Sequence, residues 1–324
     1  MRKYLLPETG NFYKANLHSH STLSDGKQTP EEMKESYKAL GYSVIAYTDH
    51  EKFVDHSDLC EEDFLALNGV EVGTHQSSGT VPYIKHCHVC FIALDQKERP
   101  VFWCNPGEKD GDKIARIYAT GNVNALIKRG RELGFFVTYN HPGWSFENYN
   151  DYMNYNGMHA MEILNWTGAK GGALDHVPHV YEDMLRGGKR LFCIATDDNH
   201  SAPDPTSYRN SCGAFTMIKA EKLEYKAITD ALLAGNFYAS QGPAIDELYY
   251  EDGKVYIKTS PAHRIFLNTG RRHFGYVGAD NDGEVCEATF EVSSEDIFFR
   301  LTVTDKRGRC AHTSAYFMDQ IIEK

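Results

Sequence analysis

Two histidines stand two residues apart in Asn16-Leu17-His18-Ser19-His20. In an extended strand alternate side chains share a face, so His18 and His20 point the same way and can grip one metal ion. Alone, such a pair is common, and a hydrogen-bonded or solvated pair is its ordinary reading. The same residue types recur along the chain, in Ala46-Tyr47-Thr48-Asp49-His50, Gly69-Val70-Glu71, at His88, in Asn140-His141-Pro142 and in Thr196-Asp197-Asp198-Asn199-His200. Each stands at the edge of a short apolar run, and each singly reads as a cap, a core histidine or a loop. Together they predict one metal centre of imidazole and carboxylate ligands. That ligand mixture suits zinc, iron or manganese, and ligand softness does not choose among them. Two or three divalent ions held this way could share a hydroxide, lower the pKa of water and neutralise developing charge.

The elements that must position these groups alternate. Expected strands are 16–20, 43–48, 67–72, 88–94, 135–140, 160–165 and 191–196, several rich in β-branched or aromatic residues. Helices fall between them. Thr29-Pro30-Glu31-Glu32 supplies an N-cap, a proline in the first turn and a capping-box glutamate. Met33, Tyr37 and Leu40 then share a face, and Gly41 is a stop. Further helices are expected over 122–133, 177–185 and 225–234. Strand–helix alternation predicts parallel strands with covering helices, and about seven repeats suggest an α/β barrel of the TIM-like kind. In such a barrel the ligands would sit at the C-terminal strand ends. After Gly242-Pro243 the pattern changes to strands and turns, with expected strands at 254–259, 264–268, 287–292, 298–304 and 312–317. The division is therefore residues 1–242, a metallohydrolase barrel, and residues 243–324, a small β-sandwich of immunoglobulin-like size.

The segment NLHSHSTLSDGKQTPEEMKESYKALGYSVIAYTDH resembles the opening block of the PHP (polymerase and histidinol phosphatase) superfamily almost residue for residue. GVEV is similar to its third motif, NHP to its later histidine and TDDNH to its closing DxH. The resemblance spans residues 16 to 200 and implies a distorted seven-stranded α/β barrel with up to three metals at its mouth. It implies that His18, His20 and Asp198 hold a first metal, with Glu71 bridging to a second completed by His88 and His141. Asp25, His50 and His200 would hold a third. Asp25 stands where some relatives carry histidine. His86 shares a strand face with His88 and is the alternative ligand there. Asp197 lacks the DxH spacing that Asp198 makes with His200.

Other groups are weighed for catalysis. Asp49 could orient His50 or act as acid or base. His176, beside His179 at a helix start, could protonate a leaving group, although a surface histidine is the plainer reading. Arg209 could grip an anion bidentately. Glu162 in MEILN reads as a hydrogen-bonded structural carboxylate, and Trp144 as packing or a pocket wall.

The bulk numbers limit partners. The 324 residues carry a net charge of −11, which argues against a nucleic-acid polymer as ligand. A small anionic substrate fits if bound cations make one pocket positive. No apolar stretch approaches a membrane span, and the N-terminus has no secretory pattern. The eight cysteines form no regular framework; Cys87 and Cys90 lie in an apolar run and read as reduced thiols of a cytoplasmic protein. The expected function is hydrolysis of a small phosphomonoester, a nucleotide or sugar phosphate. The rival is carboxyl-ester or carbamate hydrolysis, because Ala231–Asp246 (ALLAGNFYASQGPAID) resembles the carbaryl-hydrolase-like branch of the superfamily. A reading from another class is a metal-containing binding protein that has lost activity. The β-unit could bind a polymer, wall the pocket, mediate dimerisation or simply cap the barrel. Oligomeric state is not encoded in these patterns.

Overall fold

The computed structural model describes residues 2–77, 82–108, 110–202, 211–279 and 283–322. Its strands begin with β1 (Lys3–Tyr4), β2 (Asn11–Asn16), β3 (Val44–Tyr47), β4 (Leu65–Ser77) and β5 (Pro82–Ala93). They continue with β6 (Trp103–Cys104), β7 (Ile114–Ala115), β8 (Phe135–Tyr139), β9 (Ala160–Asn165), β10 (Phe192–Thr196), β11 (Phe215–Ala220) and β12 (Phe237–Ser240). The helices among them are α1 (Pro30–Lys38), α2 (Thr120–Glu132), α3 (Tyr149–Tyr152), α4 (Trp166–Gly171), α5 (Pro178–Arg186) and α6 (Tyr225–Ala234).

Local chemistry accounts for the helix ends. Thr29 Oγ1 accepts from Glu32 N at 3.2 Å, and the Glu32 carboxylate accepts from Thr29 N at 2.9 Å, the capping box expected of TPEE. Met33 and Tyr37 turn into the core. α6 ends at Gly235 in the left-handed region, φ 74°.

The strands run in the order β10-β9-β8-β5-β4-β3-β2-β11-β12. The pairs β10/β9, β9/β8, β4/β3 and β3/β2 are parallel, as alternation requires. The all-parallel expectation fails at β5, which is antiparallel to both β4 and β8. β4 and β5 are consecutive strands, and their short connection leaves no room for the crossover that a parallel neighbour needs. His88 therefore lies within β5 instead of opening it. The first strand also differs from expectation: β2 stops at Asn16, and His18 and His20 follow it. Beyond the strands Ser19 bridges Asn199 in parallel, His20 N donates to Asn199 O at 3.1 Å and Asp198 N donates to His18 O at 2.9 Å. The loop after β2 thus meets the loop after β10 at the candidate ligands. Behind them Phe91, Phe135, Val137 and Met161 are buried under Val123, Leu126 and Ile127 of α2.

The C-terminal part is rich in sheet: β13 (Ile245–Glu251), β14 (Lys254–Ala262), β15 (Arg264–Thr269), β16 (Phe274–Gly278), β17 (Val285–Glu291), β18 (Phe298–Thr304), β19 (Cys310–Thr313) and β20 (Tyr316–Phe317), then the short helix α7 (Met318–Ile321). One sheet has the order β1-β13-β14-β17, so the N-terminal strand completes it. The other strands extend the large sheet through the antiparallel pair β12/β19. Leu248, Val255 and Ile257 of the first sheet share a buried core with Ile265, Leu267, Leu301 and Val303 of the second. β13 and β16 were absent from the expected strands. A buried ion pair joins Arg300 of β18 to Glu182 of α5, and His176 Nε2 meets His312 Nε2 at 3.0 Å. No described helix is long and apolar enough to cross a membrane.

Candidate metal centre

The loops after β2, β3, β8 and β10 bring the predicted ligands together with His88 and with Glu71, which lies within β4 and does not close its strand as expected. His18 Nε2 lies 3.1 Å from His20 Nε2, 3.3 Å from Glu71 Oε1 and 3.3 Å from Asp198 Oδ1. His20 Nε2 is 3.1 Å from the same Asp198 oxygen. Glu71 Oε1 also receives His88 Nδ1 at 2.9 Å and His141 Nε2 at 3.2 Å. On the outer side Asp25 Oδ2 is 3.4 Å from His200 Nε2 and 3.8 Å from His50 Nε2, while His20 Nδ1 is 3.8 Å from Asp25 Oδ1. All nine residues implied by the resemblance thus form one contiguous group, with Glu71 at its middle. Glu71 is fully buried, whereas Asp25 and His200 reach solvent.

The backbone is shaped to this end. His141 and Asp198 adopt positive φ, 24° and 50°, which non-glycine residues rarely do. Such strain collects where a site over-determines the chain. The Asp25 loop closes tightly: Gly26 N donates to Ser21 O at 2.9 Å, and a Cβ on Gly26 would stand 2.2 Å from His20 O. A side chain at Gly26 would push the Asp25 loop off the site.

A second layer holds the ligands. Glu162 Oε1 accepts from His18 Nδ1 at 2.7 Å, and its other oxygen accepts from His141 N at 2.9 Å and Asn165 Nδ2 at 3.0 Å. Asn165 Nδ2 also donates to Asp198 Oδ2 at 3.0 Å. The carboxylate fixes the His18 tautomer with Nε2 free towards the site, the usual support of a metal-bound imidazole. The sequence reading gave Glu162 a structural role and overlooked Asn165; strict alternation would put them on opposite faces of β9, and the register shift of β9 against β10 after Glu162, which local spacing does not record, separates them. Asp49 is buried, and its oxygens accept from Ser21 N and Oγ at 2.8 and 2.8 Å and from Ser24 N and Oγ at 3.1 and 2.7 Å. Asp175, also missed, accepts from Gly143 N and Trp144 N at 2.7 and 2.9 Å, tying down the turn after His141. Asp197 points away from the ligands, to Tyr37 and the Cys212 and Gly213 amides. His176 joins His312, and no hydrogen bond or ion pair links it to the nine among the described residues. Arg209 lies outside the described residues.

The electrostatics favour a cation. Burial opposes charge on His18, but Asp198, Cys90, Glu71 and Glu162 outweigh it and hold its pKa well above the usual histidine value. Burial likewise opposes charge on His20 and His141, yet contacts with Glu71 and Asp198 push each up to about 9. Burial would raise Glu71, but His18, His88 and His50 hold it well below the carboxylate range. His50 goes the other way, to about 4, through burial and the neighbouring His20 and His88. Without metal, protons on the imidazoles balance the buried carboxylates. The donor geometry fits metal better than protons. Among the described residues Glu71 Oε2 accepts no hydrogen bond, although His50 Nδ1 and His20 Nε2 lie 3.1 and 3.3 Å away. Nitrogen lone pairs and carboxylate oxygens converging without hydrogen-bond alignment are what a shared divalent ion requires.

The α/β fold thus gathers histidines and carboxylates distant in sequence into groups that could hold metal ions. Residues 16–238 match the PHP domain family, more than half of the chain, and the chain belongs to that family, whose members are metal-dependent hydrolases. Among solved structures it is similar to a two-domain Bacteroides vulgatus protein described as containing a predicted PHP-like metal-dependent phosphoesterase, at 16% identity and TM-score 0.48, covering 99% of this chain and 91% of that one. An amidohydrolase from Chromobacterium violaceum with bound sulfate and no metal gives 16% identity and TM-score 0.41 over 58% of this chain and 87% of that one. No curated protein matches the chain.

Proposed function

We propose that the protein hydrolyses a small phosphomonoester, with the nine-residue centre holding two or three divalent ions. The observation that carries this is the convergence on Glu71 of His18, His88 and His141, with Asp198 opposite. His18, His20 and Asp198 would hold a first ion, His88 and His141 a second and Asp25, His50 and His200 a third, with Glu71 between the first two. When bound, such ions lower the pKa of water into the neutral range and neutralise charge on a phosphoryl group. The protein's own residues do the rest. Glu162 keeps the His18 proton on Nδ1. Asp49 is a positioning residue that pins Ser21 and Ser24, and through them Asp25. Arg209 is the candidate to hold the substrate's anionic group. We also read the strand run as a distorted barrel closed near Ser19 and Asn199, and the unit from residue 243 as a separate domain.

The test is phosphate release from nucleotides and sugar phosphates by manganese-reconstituted protein. Wild type should release phosphate; His18→Ala and Asp198→Ala should not, while keeping the wild-type circular dichroism spectrum. Full activity in either variant defeats the reading.

One feature favours the rival chemistry at carbon. A groove of about 840 Å³ opens beside the centre, lined by Trp144, Phe146, Tyr149, Leu174 and Val177. The Trp144 ring lies 5.1 Å from both His88 and His141. These walls suit an apolar leaving group better than a sugar. Turnover of an aryl carbamate or aryl acetate, with no turnover of the aryl phosphate, would decide for it.

A further inference from the structure

The β4–β5 hairpin carries three histidines on one face. His75 stands directly opposite His86 across the hairpin, and His88 stands opposite Gly73. His86 and His88 are two residues apart on β5, so they share a side of the sheet. His75 Nδ1 and His86 Nδ1 are 2.8 Å apart. One nitrogen from each of the three rings can be chosen so that all lie within 4.8 Å of one another. The nine-residue centre accounts for only one nitrogen of this trio, the His88 Nδ1 that faces Glu71 at 2.9 Å.

The other nitrogen of that ring supplies the second observation. His88 is 4% exposed, and among the described residues its Nε2 has no hydrogen-bond partner. A buried, unsatisfied polar atom costs roughly 1–3 kcal/mol, so it calls for a missing partner. The space beside it is kept open by Gly73, where a Cβ would stand 2.8 Å from His88 Nε2 and 3.4 Å from His75 Cε1. Trp144 covers the cluster, with its ring 5.2 Å from His86 and 5.1 Å from His88. Arg116, whose charge acts on His75, is already paired with Glu51.

We propose that His75, His86 and His88 form a further metal site, an all-imidazole position for a zinc-class divalent ion. With both positions filled, the His88 ring would span it and the Glu71 centre through its two nitrogens as an imidazolate, its ring proton passing to solvent. Three imidazoles with an open position match the ligand number and type that zinc accepts. The site does not depend on which bond the nine-residue centre hydrolyses. Its test counts ions and not turnover.

Full-length protein is equilibrated with zinc at buffered free concentrations, and bound zinc per chain is measured by elemental analysis. His75→Ala and His86→Ala should each lose one equivalent, and the double variant should lose no more than either single one. His86→Gln keeps a hydrogen-bonding side chain but no imidazole, and should lose the same equivalent. Gly73→Ala, which places a methyl group against His88 Nε2, should lose it too. Cobalt substitution adds a readout that bulk unfolding cannot mimic: the visible absorption of one cobalt should vanish in His86→Gln while the remainder persists. Wild-type zinc content in both His75→Ala and His86→Gln would overturn the site and leave the trio as a hydrogen-bonded brace for His88.

Discussion

Glu162→Gln isolates the support of the centre from its ligands. The Glu162 carboxylate accepts from His18 Nδ1 at 2.7 Å, His141 N at 2.9 Å, Asn165 Nδ2 at 3.0 Å and Thr196 Oγ1 at 2.5 Å. Glutamine keeps the shape but turns one oxygen into an NH₂ group, so donors on that side face another donor. A buried donor left without an acceptor costs roughly 1–3 kcal/mol, and metal-free stability should fall by about that amount. His18 also loses the acceptor that keeps its Nε2 lone pair aimed at the site. Losing such a partner lowers metal affinity by roughly 10–100-fold, or about 1.4–2.7 kcal/mol. The assay is competition with a chelating dye for zinc or manganese, paired with urea unfolding of metal-free protein. Glu182→Gln, at the contact between α5 and β18, is the control: it should lower stability and leave metal affinity alone. Unchanged metal affinity in a folded Glu162→Gln protein would refute the argument that this carboxylate sets the His18 tautomer.

Other perturbations have equally definite outcomes. Glu147 is buried among Tyr118, Tyr139 and Tyr155, and burial pushes its pKa up to about 7 against their hydrogen bonds. A carboxyl raised in the folded state binds its proton more tightly there, so stability should fall as pH rises from about 4.5 through 7, by on the order of 3 kcal/mol; denaturant melts of Glu147→Gln should show that slope flattened. Gly130→Ala raises helix propensity but sets a Cβ 2.3 Å from the Phe91 ring, so overpacking should cost roughly 1–3 kcal/mol in a thermal melt. Thr29→Ala removes the α1 cap and should cost about 1 kcal/mol. Treating metal-loaded protein with a strong chelator should abolish hydrolysis, and zinc or manganese should restore it.

The candidate ligands were legible as histidines and carboxylates recurring beside short apolar runs, and the resemblance to the PHP motifs supplied the set of nine, with Asp198 in place of Asp197. The capping box of α1 was spelled out in four residues. The reversed direction of β5 was not legible. The first half of that strand, Pro82 to Cys87, is polar enough to read as a loop, so the hairpin with β4 vanished from the pattern. The loss of that hairpin also hid the alignment of His75 with His86, which only strand register reveals. The supporting groups were hidden for another reason. Asp175 and Asn165 act through hydrogen bonds to loops distant in sequence, and no local spacing records such partners. The role of β1 was invisible because two residues carry no periodicity.

That small strand bears on the order in which the chain can finish itself during synthesis. Lys3 and Tyr4 pair with Tyr250 and Tyr249, so β1 leaves the ribosome long before its partner strand is made. His18 similarly waits for Asp198, an interval of roughly ten to forty seconds at ~5–20 residues per second. The nascent chain therefore carries an exposed histidine pair and an unmated strand while both counterparts are still unmade. The nine-residue centre has all its members before β13 exists, and β1 settles only after the centre's last member has been made.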